Sequence, residues 1–287
     1  MIIVTGATGT LGSQIVEQLL ARIPADRVGV SVRDTARAAD LAARGVRVRQ
    51  GDFADPDSLA SAFEGATQVL LVSSNESGTS AVAQHTAAID AARAAGTERI
   101  LYTSHQGAAA DSLFALMPDH AATERYLAET GTPYTSLRNG FYASTVPLLL
   151  GRALETGELA APADGPVSWT AHRDLAAATA RILTEEPRFD GPTPPLTAPN
   201  ALDLKDIAEI LTDLTGRPIR RVVMGDEKWV AGLIEHGVPA PQAAMLLGMF
   251  HASRNGEFTT TGATLSSLLD RTPTPLRTLL AGLIPSN

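Results

Sequence analysis

The first twelve residues, MIIVTGATGTLG, constrain the fold more than any other stretch of the chain. The apolar, β-branched run IIVT leads straight into Gly6, Gly9 and Gly12. The segment LGSQIVEQLLARI follows, with Leu11, Ile15, Leu19 and Ile23 four apart on one helical face. A strand, then glycines three residues apart, then a helix is the arrangement that cradles a dinucleotide pyrophosphate. Gly6 permits the tight turn. Gly9 removes a side chain where phosphate must approach the backbone, and Gly12 lets the helix pack closely on the strand. The helix N-terminus then offers unpaired N–H groups and the positive end of its dipole. Gly6, Thr8, Gly9, Thr10, Leu11 and Gly12 are therefore the expected phosphate contacts. A glycine-rich turn that binds nothing is the alternative. It is disfavoured because this turn sits between the required strand and helix, at the head of a repeated unit.

The repeat continues along the chain. RVGVSVR (27–33), VRVRQGDF (46–53), QVLLVSS (68–74), RILYTS (99–104) and YTSLRNGF (134–141) read as strands. Between them, DPDSLASAFEG reads as a helix opened by Asp55 with Pro56 in its first turn, and TSAVAQHTAAIDAARAAG and DHAATERYLAETG as further helices. The strands are apolar throughout rather than alternating, the pattern of a parallel sheet covered on both faces. This predicts an α/β protein: a Rossmann-type doubly wound parallel sheet with a smaller C-terminal α/β portion. Residues 1–145 are expected to form the NAD(P)-binding domain. Residues 146–287, with helices near 173–185, 203–215, 226–236 and 240–250, are expected to cap the substrate side, partly interleaved with the first domain.

Composition removes whole classes of function. The net charge is −8, which argues against nucleic acid, because phosphate binding needs clustered cations. No apolar run approaches the roughly 20 residues of a membrane span. There is no cysteine, so disulfides, thiol catalysis and thiolate metal sites are excluded. His172 and Asp174 in TAHRDL have no third ligand in view, so no metal is expected, and HRD reads as the opening of a helix. With the first strand starting at Ile2, no leader is expected and the protein reads as cytoplasmic.

The carboxyl ends of parallel strands are where ligands bind. The second strand ends in Arg33, whose guanidinium suits the 2′-phosphate of NADP, with Asp34 beside it as a partial offset. Asp52, after the third strand, reads either as an adenine contact or as the cap of a local turn. Ser73, Ser74 and Asn75 end the fourth strand, and Thr103 and Ser104 the fifth. These are the further cofactor candidates. His105 and Gln106 follow at the same edge.

A common proton relay is missing. Short-chain dehydrogenases use a Tyr-x-x-x-Lys pair, yet four residues beyond Tyr102, Tyr126, Tyr134 and Tyr142 stand Gln106, Thr130, Arg138 and Val146. Only Lys205 and Lys228 occur, near none of them. Alcohol–ketone chemistry by that route is disfavoured. A quinone needs less acid assistance, because its product anion is delocalised, and the enzyme must mainly hold two rings face to face.

The stretches MIIVTGATGTLGSQIVEQLL, VRQGDF, LLVSSNE, AARAAG, DHAATERYLAETGTPYTSLRNGFY and RDLAAATARIL, with Arg33, together resemble the NmrA-like atypical short-chain dehydrogenases. Within them the chain is most similar to the bacterial NADPH:quinone oxidoreductases of type 2. The resemblance implies NADPH as cofactor, in preference to NADH, and hydride transfer to a quinone or related aromatic carbonyl. It also implies a cleft between the two portions. Related reductases carry Lys at the position of His120, so His120 is implied as the group that orients or protonates a substrate oxygen, with Glu124 on the same helix face as its expected partner. Asn139 and Gly140 would lie beside the nicotinamide, and Phe141 and Tyr142 would wall the substrate or serve the core. Trp169, Trp229 and Phe250 read first as packing. A non-catalytic NADP(H) sensor, as some NmrA-like proteins are, and a tailoring reductase for aromatic natural products stand as the alternatives. A homodimer is left open.

Overall fold

A computed structural model describes residues 1–74, 76–185 and 189–284. Among the described residues nine strands form, in chain order: β1 (Ile2–Thr5), β2 (Val28–Val32), β3 (Arg47–Gln50), β4 (Gln68–Leu71), β5 (Arg99–His105), β6 (Tyr134–Asn139), β7 (Glu158–Ala161), β8 (Gly191–Pro192) and β9 (Arg220–Val223). Seven of them make one sheet, in the order β3-β2-β1-β4-β5-β6-β8. Each neighbouring pair runs parallel, so all carboxyl ends lie along one edge. The strand order reverses direction between β1 and β4, which opens a crevice at that edge where nucleotides bind in doubly wound sheets.

Side chains alternate between two layers, as a strand's period of two requires. Ile2, Val4, Val28, Val30, Val32, Leu70 and Leu101 face a core shared with the Thr10–Leu20 and His172–Thr184 helices. Ile3, Val69, Leu71, Ile100 and Tyr102 face the opposite core, with Leu59, Phe63, Ile89 and Leu127 from the other three long helices of the first half. Both faces are covered, which is why the strands read as continuous apolar runs. β3 is the exception, half-buried and charged. It is an edge strand, and Arg47 and Arg49 reach across to Glu64.

The second half of the chain does not stand apart. β8 pairs with β6, and the His172–Thr184 helix covers the helix that follows the glycine turn. A third core lies under the remaining C-terminal elements, where Phe114, Phe141, Trp169, Phe250 and Phe258 are buried together. β7 and β9 form a separate parallel pair there. The chain's end is hooked back onto the His172–Thr184 helix: Asp174, fully buried, accepts from Arg271 Nη2 and from the Thr274 N–H, each at 2.6 Å.

The helix opened by Asp55 with Pro56 in its first turn forms as expected, over Pro56–Phe63. The Asp55 side chain makes no capping hydrogen bond. The Ser58 hydroxyl instead bonds the Asp55 carbonyl at 2.6 Å. Among the described residues no helix is long and apolar enough to cross a membrane.

Candidate active site

The glycine turn follows β1 directly. Gly6 sits at φ 60°, a conformation that a side chain would strain. The Gly9 N–H closes the turn on the Gly6 carbonyl at 2.9 Å. A Cβ on Gly12 would fall on that same Gly6 carbonyl oxygen, so the third glycine is required by the turn as much as by the strand. Gly9 differs. It is the N-cap of the Thr10–Leu20 helix, it is exposed, and a Cβ there would meet only the Gly6 oxygen, at 3.3 Å. No side chain caps this helix. Its first N–H groups therefore remain available to an anion. Thr8, half-buried, and Thr10, exposed, flank them, whereas the Leu11 side chain is core and contributes backbone alone.

At the end of β2, Arg33 is exposed and forms no ion pair among the described residues. Asp34 forms no ion pair with it among the described residues: the Asp34 carboxylate accepts from the Ala36 N–H at 3.0 Å and caps its own turn. Asp52 likewise accepts from the Ala54 N–H at 3.0 Å, which is the local-turn arrangement.

The ends of β4 and β5 are laced together by side chains. The Ser73 N–H donates to Thr103 Oγ1 at 2.8 Å, and the Thr103 hydroxyl donates to Ser73 Oγ at 3.2 Å. The Ser104 hydroxyl donates to Glu124 at 2.7 Å. Thr103 and Ser104 thus use their hydroxyls inside the fold. Ser74 keeps a buried, unpartnered hydroxyl, while its N–H donates to His85 Nε2 at 3.0 Å. Asn75 lies outside the described residues.

Glu124 does not pair with His120. It is buried, and Arg138 clamps it through two hydrogen bonds, at 3.1 and 2.6 Å. Arg138 comes from β6, and a fork-shaped guanidinium outcompetes an imidazole for a carboxylate. His120 instead meets Tyr102, whose hydroxyl lies 2.7 Å from His120 Nδ1. The same hydroxyl is 3.4 Å from His85 Nδ1, which also reaches Thr123 Oγ1 at 3.0 Å. The His105 ring runs nearly parallel to the His120 ring, with centroids 6.3 Å apart. Burial lowers the pKa of His85 to about 4 and of His105 to about 3. Burial likewise holds His120 at about 3, with a smaller effect from the neighbouring histidines. All three are neutral near pH 7: hydrogen-bonding groups, not cations.

Asn139, at the end of β6, is fully buried; among the described residues no group lies within ordinary hydrogen-bond geometry of its amide atoms, and the neighbouring Tyr142 phenol is the one side chain that interacts with it. Such an amide is costly in a finished core and is expected where a ligand completes the structure. Gly140 has a packing reason, because a Cβ there would fall on Thr170 Oγ1. Beyond it, Phe141 contacts His105, Phe114, Trp169 and Phe258 edge-on or stacked, so the ring serves the core and borders His105 at once. The Tyr142 ring lies 4.2 Å from the His172 ring, and burial raises the Tyr142 phenol pKa. Trp169 and Phe250 are packing: Trp169 donates to the Leu202 carbonyl at 2.9 Å, and Phe250 is fully buried against Trp229. Gln106 is also internal, tied to Ser168 and to the Phe258 carbonyl.

Sequence reasoning missed His85, Thr123 and the role of Tyr102. A signal was present. Tyr102 carries a hydroxyl in the middle of a fully buried strand, and such a hydroxyl demands a partner. His85 interrupts an otherwise Ala-rich helix face.

The edge therefore offers a phosphate cradle of backbone N–H groups beside an unpaired arginine, and a buried amide next to neutral imidazoles. That donor set fits a dinucleotide: pyrophosphate at the turn, and a carboxamide, which both donates and accepts, at Asn139. Comparisons with known proteins agree in fold and sequence. The model of the NmrA-like family matches residues 1–277. Quinone oxidoreductase 2 of Escherichia coli is 36% identical, over 96% of each chain. The crystal structure of an NADPH-dependent quinone oxidoreductase from Escherichia coli, complexed with NADPH, superposes with a TM-score of 0.92 at 35% identity, over 99% of both chains. Triphenylmethane reductase of Citrobacter sp., complexed with NADP(H), superposes with a TM-score of 0.91 at 33% identity, over 99% of this chain and 100% of that one. With its glycine turn, its reversed strand order and these matches over nearly its full length, the chain belongs to the NmrA-like family.

Proposed function

We propose that this protein is an NADPH-dependent reductase that delivers hydride to a quinone or a related aromatic acceptor. The observation that carries the reading is the uncapped helix N-terminus behind Gly9, on the same sheet edge as the buried Asn139 amide. The relatives whose names specify quinone and triphenylmethane substrates, with NADPH or NADP(H) bound, support it.

NADPH, when bound, supplies the hydride. The chain does the rest. Gly6, Gly9 and the backbone of Thr10, Leu11 and Gly12 bind the pyrophosphate. Arg33 binds the 2′-phosphate and thereby selects NADPH over NADH. Asn139 orients the nicotinamide through its carboxamide. His105 and Phe141 border the acceptor, and Tyr142 lies alongside. His120 donates a hydrogen bond to the acceptor oxygen as negative charge develops there. Positioning dominates, since no Tyr–Lys relay exists to lower the barrier by strong acid catalysis.

The test is calorimetry with NADPH and NADH, followed by NADPH consumption against a panel of quinones and triphenylmethane dyes. NADPH should bind more tightly than NADH, and at least one acceptor should be turned over. Absence of any nucleotide binding overturns the reading. Tight binding without turnover of any acceptor favours the sensor alternative.

A further inference from the structure

The hydrogen bonds behind His120 have a direction, and the backbone sets it. The Ser74 N–H can only donate, and it donates to His85 Nε2 at 3.0 Å. His85 Nε2 is therefore unprotonated, and its proton sits on Nδ1. From there it faces Thr123 Oγ1 at 3.0 Å and the Tyr102 hydroxyl oxygen at 3.4 Å. Thr123 passes its own hydrogen to the Asp119 carbonyl at 2.9 Å, so Thr123 accepts from His85. The Tyr102 oxygen thus looks towards a donor on the His85 side. Its own hydrogen is left for His120 Nδ1, 2.7 Å away. The opposite arrangement, with the proton on His120 Nδ1, would turn the phenol hydrogen from its shortest contact towards Thr123, whose oxygen already accepts from His85.

We propose that Tyr102 is a positioning residue: it donates to His120 Nδ1 and so holds His120 as the tautomer with its proton on Nε2, the nitrogen left to meet an acceptor oxygen. This rests on the reading of His120 as the residue that faces the acceptor. The chain of bonds starts at Ser74, at the cofactor edge, and ends at the acceptor. A neutral imidazole fixed in this way donates a hydrogen bond without carrying charge, which suits a site that burial keeps free of imidazolium. His105 is set the same way. Its Nδ1 accepts from the Gly107 N–H at 3.0 Å, which places its proton on Nε2 too.

Long-range proton–nitrogen correlation spectra of the full-length protein, labelled with ¹⁵N-histidine, read the tautomer directly and need no turnover. His120 should show a protonated Nε2 and an unprotonated Nδ1 shifted by hydrogen bonding. Tyr102→Phe, which keeps the ring, should move the Nδ1 resonance to the unbonded position. With 1,4-naphthoquinone as acceptor it should lower kcat about tenfold while KM stays within about twofold. His85→Leu, one link further away, should shift the same resonances by less. A protonated Nδ1 in the wild type overturns the proposal. So does a Tyr102→Phe spectrum identical to wild type. If naphthoquinone is not consumed at all, the substrate reading fails, while the spectra still decide the tautomer.

Discussion

The two halves of the sheet's carboxyl edge are built from different materials. Under β1 and β2 the site is backbone: a glycine turn, an uncapped helix and an exposed arginine, with few side-chain hydrogen bonds. Under β5 and β6 it is a knot of side chains, in which Ser104, Glu124 and Arg138 partner one another, as do Tyr102, His85 and His120. A phosphate is bound by N–H groups, which any sequence supplies once the glycines permit approach. An oriented ring and an acceptor oxygen need particular atoms in particular protonation states, and those require a supporting shell.

That contrast can be broken by substitution. The largest effect is expected from Gly12→Ala, whose Cβ would fall on the Gly6 carbonyl oxygen. It should cost about 3 kcal/mol by urea unfolding and abolish NADPH binding with the turn. Gly9→Ala is its counterpart: it should leave the melting temperature within a few degrees, yet weaken NADPH about tenfold by calorimetry. Equal damage to stability from both would show that Gly9 too serves only the fold. Glu124→Gln breaks the clamp in the other half. With Glu124 buried and Arg138 partly exposed, it should cost about 2 kcal/mol in the same unfolding measurement and leave NADPH affinity nearly unchanged.

Asn139→Leu sharpens the comparison by its sign. Removing a buried amide whose one interacting side chain among the described residues is the Tyr142 phenol should raise the stability of the nucleotide-free protein by about 1 kcal/mol, while NADPH affinity falls. A loss of stability instead would mean that the amide is satisfied without a ligand. The smallest effect belongs to Arg33→Ala: NADPH affinity should drop about fivefold in titrations, with NADH affinity and stability unaltered. If the preference for NADPH survives, Arg33 is not its source.

The same division explains what the sequence could and could not reveal. Gly6, Gly9 and Gly12 were legible because a backbone site leaves its mark at fixed spacing along one segment. The sheet was legible because both faces are covered and the strands β1, β2, β4 and β5 carry buried apolar residues on both faces. The pairing of Glu124 with Arg138 was not, since it joins a helix to a strand 14 residues later, and local helix geometry pointed to His120 instead. His85 and Tyr102 were invisible for a similar reason: their meeting depends on how helix and strand stack. β7, β8 and β9 were not legible: β8 has two residues, and β7 and β9, outside the main sheet and partly exposed, lack the continuous apolar run of a strand covered on both faces.

The His172–Thr184 helix carries a consequence for synthesis on the ribosome. It supplies the cover for Leu11, Ile15, Val16 and Leu19, so the nucleotide-binding half waits for residues emitted far later in translation. A nascent chain halted at 145 should stay sensitive to protease and bind a hydrophobic dye. One halted after the Arg271 hook has cleared the exit tunnel should do neither.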